Sequence, residues 1–250
     1  MASLSTVDGL QTAAVVGPAV AFAVTAAAVP LSIRVARRFG VLDAPTDRSS
    51  HTVPTPRLGG MAVALGTCGA LVAAAAISPD SVRAAPEGTG PLALLLGTTL
   101  VLAAIGLADD LVRGIPVAVR LLGQAVVAFG LVAPWVLAQH PSPATLGSMA
   151  LGVGAALALI GFVNVFNFMD GVDGMSGSVA AVMGLHLALL GGRDAQAPLV
   201  VMGLVVAGAA LGFLPRNLRT TTVFLGDGGS YFLGGWLATV MTWNPVAYGV

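Results

Sequence analysis

The chain has 250 residues, of which 56% are hydrophobic and 9% are charged, and its formal net charge is zero at pH 7. Soluble proteins carry roughly 25% charged residues and about 45–50% apolar residues. Together with a mean hydropathy of +0.93, this composition excludes a soluble enzyme, a disordered chain and a nucleic-acid-binding protein. The single cysteine, Cys68, lies in an apolar run, which excludes a disulfide framework and a cysteine metal site. We therefore predict an all-α protein with one integral membrane domain over residues 1–250.

Apolar segments near the length of about 20 residues that a membrane-spanning helix needs follow one another along the chain. There are eight, separated by proline, glycine or charge: Ala13–Ile33, Leu58–Ile77, Pro91–Ala108, Ile115–Ala138, Met149–Phe168, Ser178–Leu190, Ala197–Leu214 and Gly229–Val250. No basic stretch precedes the first segment and no cleavage site follows it, so we expect that helix to be retained rather than removed as a signal peptide. The sequence predicts a polytopic bundle of about eight transmembrane helices within the lipid bilayer.

The basic residues predict the orientation of this bundle. All eleven are arginines, and nine of them lie in or beside the connections that follow the first, third and seventh segments. Because cytoplasmic loops are enriched in basic residues, these connections are predicted to be cytoplasmic and the N-terminus to lie outside. Most of the acidic residues fall on the same predicted side: Asp43, Asp47, Asp109, Asp110, Asp170, Asp173 and Asp227.

Five of these aspartates directly follow an apolar helix or stand in a glycine-rich turn before the next one. They are Asp109, Asp110, Asp170, Asp173 and Asp227. A carboxylate beside hydrocarbon is costly unless a cation or a water-filled cavity accompanies it. One such aspartate could simply anchor a helix end, whereas five at one membrane face indicate a functional site.

Polar residues recur at intervals of three across one of these connections. The members of this stripe are Asn164, Asn167, Asp170 and Asp173. If the segment is helical, the stripe lines one helix edge, although the asparagines could instead form hydrogen bonds between membrane helices. Carboxylate and amide oxygens near arginines, without clustered histidine or cysteine, favour Mg2+ and a phosphate-bearing substrate over zinc.

Glycines stand beside the aspartates in two turns, GVDG at 171–174 and GDGG at 226–229. Such turns let the backbone approach a phosphate, and a helix start offers N–H groups to an anion, but glycine is also common where membrane helices pack. The polar loop from Asp43 to Arg57 carries Arg48, His51 and Arg57, whose side chains could bind phosphate oxygens or remain solvated. The two turns and the loop together favour a phosphate-binding site.

Four strings occur in order along the chain: DRSSHTVPTPRLGG at 47–60, GLADDL at 106–111, NVFNFMDGVDGMSG at 164–177 and NLRTTTVFLGDGGSYFLG at 217–234. Together they resemble the motifs of the polyprenyl-phosphate N-acetylhexosamine-1-phosphate transferases. The resemblance implies transfer of a sugar 1-phosphate from a UDP-N-acetylhexosamine to undecaprenyl or another polyprenyl phosphate, with release of UMP. It also implies a bacterial inner membrane location, with the active site facing the cytoplasm, and a role in cell-envelope polysaccharide or peptidoglycan synthesis.

The resemblance implies roles for the acidic residues. Asp227 would be the principal ligand of Mg2+, or of Mn2+ in its place, with Asp110 and Asn167 in the same metal site. Asp109 matches the aspartate thought to accept a proton from the lipid phosphate, and Asp110 would be its partner. Joining a phosphate to a diphosphate gathers negative charge, which Mg2+ and arginine neutralise.

The resemblance also implies substrate contacts. The 164–173 stripe matches the nucleotide-sugar site, with Asp173 near the uracil. Asn217 and Phe224 match uridine contacts, although Phe224 could be an ordinary aromatic residue of the membrane interface. Arg48 and His51 match a basic first-loop motif that holds diphosphate. Direct attack by the lipid phosphate is favoured, and a covalent aspartyl intermediate stays open.

Members of that family usually have ten or eleven helices and a further cytoplasmic loop with a His-rich motif, which these 250 residues lack. We therefore expect either a truncated member or a short one. Three other interpretations stay open: a secondary transporter, which would carry its carboxylates near the bilayer midplane, a CDP-alcohol phosphotransferase, whose longer aspartate motif is absent, and a non-catalytic membrane subunit. The sequence does not decide the sugar, the polyprenol or the oligomeric state, a homodimer included.

Overall fold

The computed structural model describes residues 4–45, 52–82, 90–112, 114–139, 145–218 and 222–242. Its helices are α1 (Leu4–Phe39), α2 (Gly59–Ile77), α3 (Gly90–Val112), α4 (Val117–Val127), α5 (Ala133–Ala138), α6 (Leu146–Met169), α7 (Met175–Arg193), α8 (Ala197–Leu218) and α9 (Gly226–Thr242). A π-helical turn, Ala128–Val132, joins α4 to α5, and a 3-10 turn, Pro79–Ser81, follows α2. Two short strands, β1 (Leu42–Asp43) and β2 (Thr55–Pro56), pair antiparallel. The predicted all-α class is confirmed.

Seven helical segments within the described ranges are long and apolar enough to cross a membrane. They are Asp8–Phe39, Gly59–Ile77, Leu92–Val112, Val117–Ala138, Leu146–Met169, Met175–Arg193 and Ala197–Leu218. Each coincides with one of the first seven predicted segments, which confirms a multi-pass membrane protein. The eighth predicted segment overlaps α9, a helix of 17 residues that is not among the seven. The predicted orientation of the termini stays a prediction.

Helix α9 lies at the centre of the bundle. It packs against α3 and α6 and also touches α2, and its large side chains Tyr231, Phe232 and Trp236 are buried. Glycines let the neighbouring helices approach its first turn closely: a Cβ on Gly60 of α2 would lie 2.1 Å from the Cα of Gly229. Small residues commonly permit this kind of close packing between membrane helices.

Helix α1 lies at the edge of the bundle, where it packs against α2 and α8. Its other face exposes large apolar side chains, among them Val15, Phe22 and Leu31. In a bilayer such a face meets lipid tails, which solvate it as well as protein would. The outward-facing surface of α1, at the edge of the bundle, is therefore apolar.

The polar groups collect at one end of the bundle. Hydrogen bonds and ion pairs join the last turns of α3, α6 and α8 to the first turns of α4, α7 and α9 at that end. Glycines with positive φ separate the helices there, since Gly174 (φ 75°) precedes α7 and Gly226 (φ 79°) begins α9. Glycine adopts this conformation without a steric penalty. The chain can therefore reverse between helices while it brings their polar ends together.

Candidate active site

Asp227, in the first turn of α9, is the residue on which the polar groups converge. Its Oδ1 accepts a hydrogen bond from Asn167 Nδ2 of α6 at 2.7 Å and lies 3.6 Å from Arg57 Nη2. Its Oδ2 lies 3.5 Å from Arg120 Nη1 of α4. The side chain keeps 15% of its surface exposed. Asp227 is thus held by three helices and one loop and is still reachable.

Asp109, at the end of α3, lies against Asp227. Its Oδ2 pairs with Arg120 Nη1 at 2.7 Å, and its Oδ1 accepts the backbone N–H of Ile115 at 3.1 Å. One nitrogen of Arg120 therefore contacts both carboxylates. The Nε of Arg120 is buried and has no hydrogen-bond partner within the described part of the chain.

Asp110 has a different role from its neighbour. Its carboxylate accepts the backbone N–H groups of Asp227 at 3.1 Å and Gly228 at 2.9 Å, and Arg57 Nη2 lies 3.3 Å away. A carboxylate at a helix N-terminus satisfies free N–H groups and stabilises the helix dipole. Asp110, with its side chain 1% exposed, therefore caps α9. Two of the N–H groups that the GDGG turn was expected to offer to a phosphate, those of Asp227 and Gly228, are used here.

Asp170 and Asn217 tie the two glycine-rich turns to the site. Asp170 Oδ2 accepts the backbone N–H of Gly226 at 3.2 Å. Asn217 Oδ1 accepts the N–H of Gly174 at 2.6 Å, and its Nδ2 donates to the carbonyl of Val223 at 3.1 Å. Burial raises the pKa of the Asp170 carboxyl group well above its usual range, and the nearby carboxylate of Asp227 raises it further. Both residues thus hold backbone in place.

The predicted polar stripe is only partly helical. Helix α6 ends at Met169, so Asn164 and Asn167 share its edge, while Asp170 caps it and Asp173 lies half-buried in the turn beyond. The glycines of that turn end the helix before the spacing of three can continue. Asn164 donates to Gln124 of α4 and to the carbonyl of Ile160, which is the bond between membrane helices that the sequence left open.

Phe224, one of the predicted uridine contacts, lies beside β2 and the start of α2. The backbone of Phe224 bridges β2 and α2: its N–H donates to the carbonyl of Pro56 at 2.7 Å and its carbonyl accepts from Gly59 at 2.9 Å. Its side chain is half-buried. Arg48 and His51 lie outside the described residues. Phe224 is thus fixed near Arg57, at the rim of the polar end.

Sequence reasoning missed three participants. Arg120 contacts both Asp109 and Asp227 but was counted only as a topology signal. Ser230 accepts a hydrogen bond from Asn167 at 3.0 Å and donates to the carbonyl of Asp227 at 3.2 Å. Gln124 is completely buried. Arg120 and Gln124 are polar residues in an apolar segment, spaced by one helical turn, and that spacing was the signal available in the sequence.

Comparison with known proteins identifies the family. The family model described as glycosyl transferase family 4 matches residues 92–244. The chain belongs to this family. The matched residues of glycosyl transferase family 4 run from α3 to α9 and include Asp109, Asp110, Arg120 and Asp227. The resemblance drawn from the four strings is confirmed.

Relatives within the family have related names. The chain is 32% identical, over 83% of its length, to decaprenyl-phosphate N-acetylglucosaminephosphotransferase of Mycobacterium tuberculosis, and 31% identical, over 82%, to the protein of that name from Mycolicibacterium smegmatis. It is 31% identical, over 88%, to phospho-N-acetylmuramoyl-pentapeptide-transferase of Levilactobacillus brevis, of which the match covers 72%. It spans about half the length of the first two, 54% and 53%.

Proposed function

We propose that this chain transfers a sugar 1-phosphate from a UDP-N-acetylhexosamine to a polyprenyl phosphate and releases UMP. The observation that carries the proposal is the convergence of Asp109, Asp227, Arg57 and Arg120 at one end of a membrane bundle. A phosphate carried by a lipid lies near the surface of the bilayer, and a nucleotide sugar reaches that surface from water. The name of the Mycobacterium tuberculosis relative contains a decaprenyl phosphate and an N-acetylglucosamine phosphate, which supports the lipid acceptor and the transferred group.

Asp227 is the best-placed ligand for the Mg2+ ion that we propose as cofactor, with Mn2+ as a substitute. No group of three or more metal-binding His, Cys, Asp or Glu side chains occurs in the ranges that the structure describes. Mg2+ does not need one, because it keeps several waters and uses one or two carboxylates together with substrate phosphates. Asp227 supplies one such carboxylate at the point where the polar groups converge. Asn167 turns its Nδ2 toward Asp227, so we assign it to hold that ligand.

The reaction needs the phosphates to approach despite their negative charge. A bound Mg2+ would neutralise part of that charge and polarise the phosphorus. Arg57 and Arg120 lie on either side of Asp227, each within 4 Å, and guanidinium groups form strong charge-assisted hydrogen bonds with phosphate oxygens. The two arginines are therefore proposed to bind the diphosphate of the sugar donor.

Asp109 is proposed to accept the proton of the lipid phosphate as that group attacks. An oxygen of the lipid phosphate forms a bond to the phosphorus that carries the sugar, and the bond from this phosphorus to the bridging oxygen breaks. UMP leaves with that oxygen, and a polyprenyl-diphosphate sugar remains. Asp110 keeps Asp227 in place by capping α9. The bacterial inner membrane, with the site facing the cytoplasm, is part of the proposal because of the arginine distribution.

The proposal is tested by UMP release from the purified chain in detergent, with Mg2+, undecaprenyl phosphate and a panel of UDP-N-acetylhexosamines. We expect UMP release that requires the lipid phosphate, selects one sugar, and is lost in Asp227→Ala. Release that continues unchanged in Asp227→Ala would contradict the assignment of the site. A wild-type chain that neither releases UMP nor binds any of the UDP-sugars would contradict the proposed function.

A further inference from the structure

A second polar layer lies one helical turn below the aspartates. Gln124 stands four residues after Arg120 on α4, and Asn164 stands three residues before Asn167 on α6. The two amides meet, because Asn164 Nδ2 donates to Gln124 Oε1. The buried Tyr231 of α9 faces Gln124 from the third side. The three helices that carry the upper layer are therefore joined again inside the bundle.

Burial of the polar side chain of Gln124 is costly in this place. Its side chain is 0% exposed, and a buried amide requires hydrogen bonds to offset the loss of water. The outer face of α4 is apolar and exposed, including Val119, Leu122 and Val126. Gln124 is thus the polar side chain by which α4 is fixed to α6 in the described part of the bundle.

The position of α4 decides where Arg120 lies. Arg120 reaches both carboxylates through a single nitrogen, Nη1, and its buried Nε has no partner among the residues described. Its contacts therefore do not fix the guanidinium from several directions. A small shift of α4 along α6 would carry Arg120 away from Asp109 and Asp227 together.

We propose that Gln124 is a positioning residue for the transfer reaction: through Asn164 it fixes α4 against α6 and so holds Arg120 between Asp109 and Asp227. The inference rests on the proposed function and adds to it a residue that acts through Arg120. Supporting residues of this kind, which orient groups that bind metal or substrate, typically contribute about 10- to 100-fold to activity.

A double-mutant cycle tests the inference. Gln124→Met keeps the length of the side chain and removes its hydrogen bond, and Arg120→Lys keeps the charge and removes the geometry of the guanidinium. We expect Gln124→Met to lower kcat about 10-fold or more in the wild-type background. In the Arg120→Lys background we expect a loss of less than about 2-fold, because residues that act through one another are not additive.

Thr67→Val in α2 is the matched control. Thr67 is also 0% exposed and makes one hydrogen bond, to the carbonyl of Val63, but it lies on a helix apart from α4. We expect equal, small effects of this control in both backgrounds. Equal effects of Gln124→Met in both backgrounds would overturn the positioning role.

A variant that does not fold and a wild-type chain without UMP release each need a separate measurement. If Gln124→Met does not fold, Asn164→Leu removes the same hydrogen bond from α6 and passes through the same cycle; failure of both variants to fold overturns the inference and assigns the pair to stability. If the wild-type chain binds UDP-N-acetylglucosamine with Mg2+ but releases no UMP, transfer fails by itself, and the cycle is measured as that affinity. A wild-type chain that neither releases UMP nor binds the UDP-sugar overturns both the proposed function and the inference.

Discussion

Helices α9 and α1 show two ways of placing a helix in this membrane protein. Fourteen of the 17 residues of α9 are buried, whereas only 22% of the most apolar window of α1 is buried inside the protein. Helix α9 carries Asp227, Ser230 and several glycines, while α1 presents apolar side chains to lipid. The helix that carries Asp227 is surrounded by protein, so it can contain polar groups.

The difference follows from the surroundings of each helix, which are mainly protein for α9 and lipid on the outer face of α1. Lipid cannot satisfy a polar group, so an exposed helix must be apolar. Asp227 and Ser230 instead find partners on α3, α4 and α6. We therefore expect substitutions of equal size to change activity and stability strongly in α9 and weakly in α1.

The largest difference is expected between two aspartates. Asp227→Asn removes the charge that we propose for Mg2+ and should lower kcat by roughly 100- to 1,000-fold, the range seen when a main electrostatic group is lost. Asp8→Asn removes an exposed carboxylate of α1 and should leave kcat unchanged. UMP release by the two variants gives the comparison, and equal rates would remove the basis for a site on α9.

Asp110→Asn should have the next largest effect. Asparagine can still accept one of the two N–H bonds at the start of α9 but lacks the negative charge. We expect a loss of activity of about 10- to 100-fold, as for supporting residues, and a smaller loss than in Asp227→Asn. Steady-state rates over a series of Mg2+ concentrations measure it. A variant as inactive as Asp227→Asn at every concentration would instead indicate that Asp110 binds the metal directly.

Gly60→Ala tests the packing of α9 rather than its charge. The added Cβ would lie 2.1 Å from the Cα of Gly229 and 2.9 Å from the carbonyl oxygen of Leu225, so the two helices must separate. We expect a loss of about 1–3 kcal/mol in the free energy of unfolding. Gly69→Ala, on the same helix with nothing within 4 Å of the added atom, is the control. Equal thermal midpoints for the two variants would refute the close contact.

The smallest effect is expected on the lipid side of α1. Phe22 is 46% exposed, and Phe22→Leu exchanges one apolar side chain for another at that surface. We expect a change within about 0.5 kcal/mol, as for surface positions without special contacts. Thermal unfolding in detergent measures it. A much larger loss would mean that protein rather than lipid covers this face.

Much of this architecture could be predicted from the sequence, because hydrophobic runs of the length of a bilayer are a strong signal. The first seven predicted segments coincide with helices, and four of the five aspartates at their ends, Asp109, Asp110, Asp170 and Asp227, lie close together. The different contacts of Asp109, which pairs with Arg120, and Asp110, which caps α9, could not be predicted. Adjacent residues in a helix point in different directions. Only the packing of α9 against α3 decides which one caps the helix.

The hydrogen bonds and ion pairs around α4 could not be predicted from the sequence for a related reason. Arg120 reads as a topology signal and Gln124 as one polar residue in an apolar run until α4 is placed against α6 and α9. The spacing of three that joined Asn164 to Asp173 was interrupted because glycines end α6. Local patterns thus located the polar end of the bundle but not the partners within it.

The most direct test of the central claim is the mass of the lipid product. Undecaprenyl phosphate is incubated with the wild-type chain, Mg2+ and UDP-N-acetylglucosamine. The extracted lipid is identified and quantified by mass spectrometry, and the released UMP is quantified in the same reaction. We expect undecaprenyl diphosphate carrying one N-acetylglucosamine, in an amount equal to the UMP. UMP without that lipid, or free sugar phosphate in its place, would contradict transfer to the lipid phosphate.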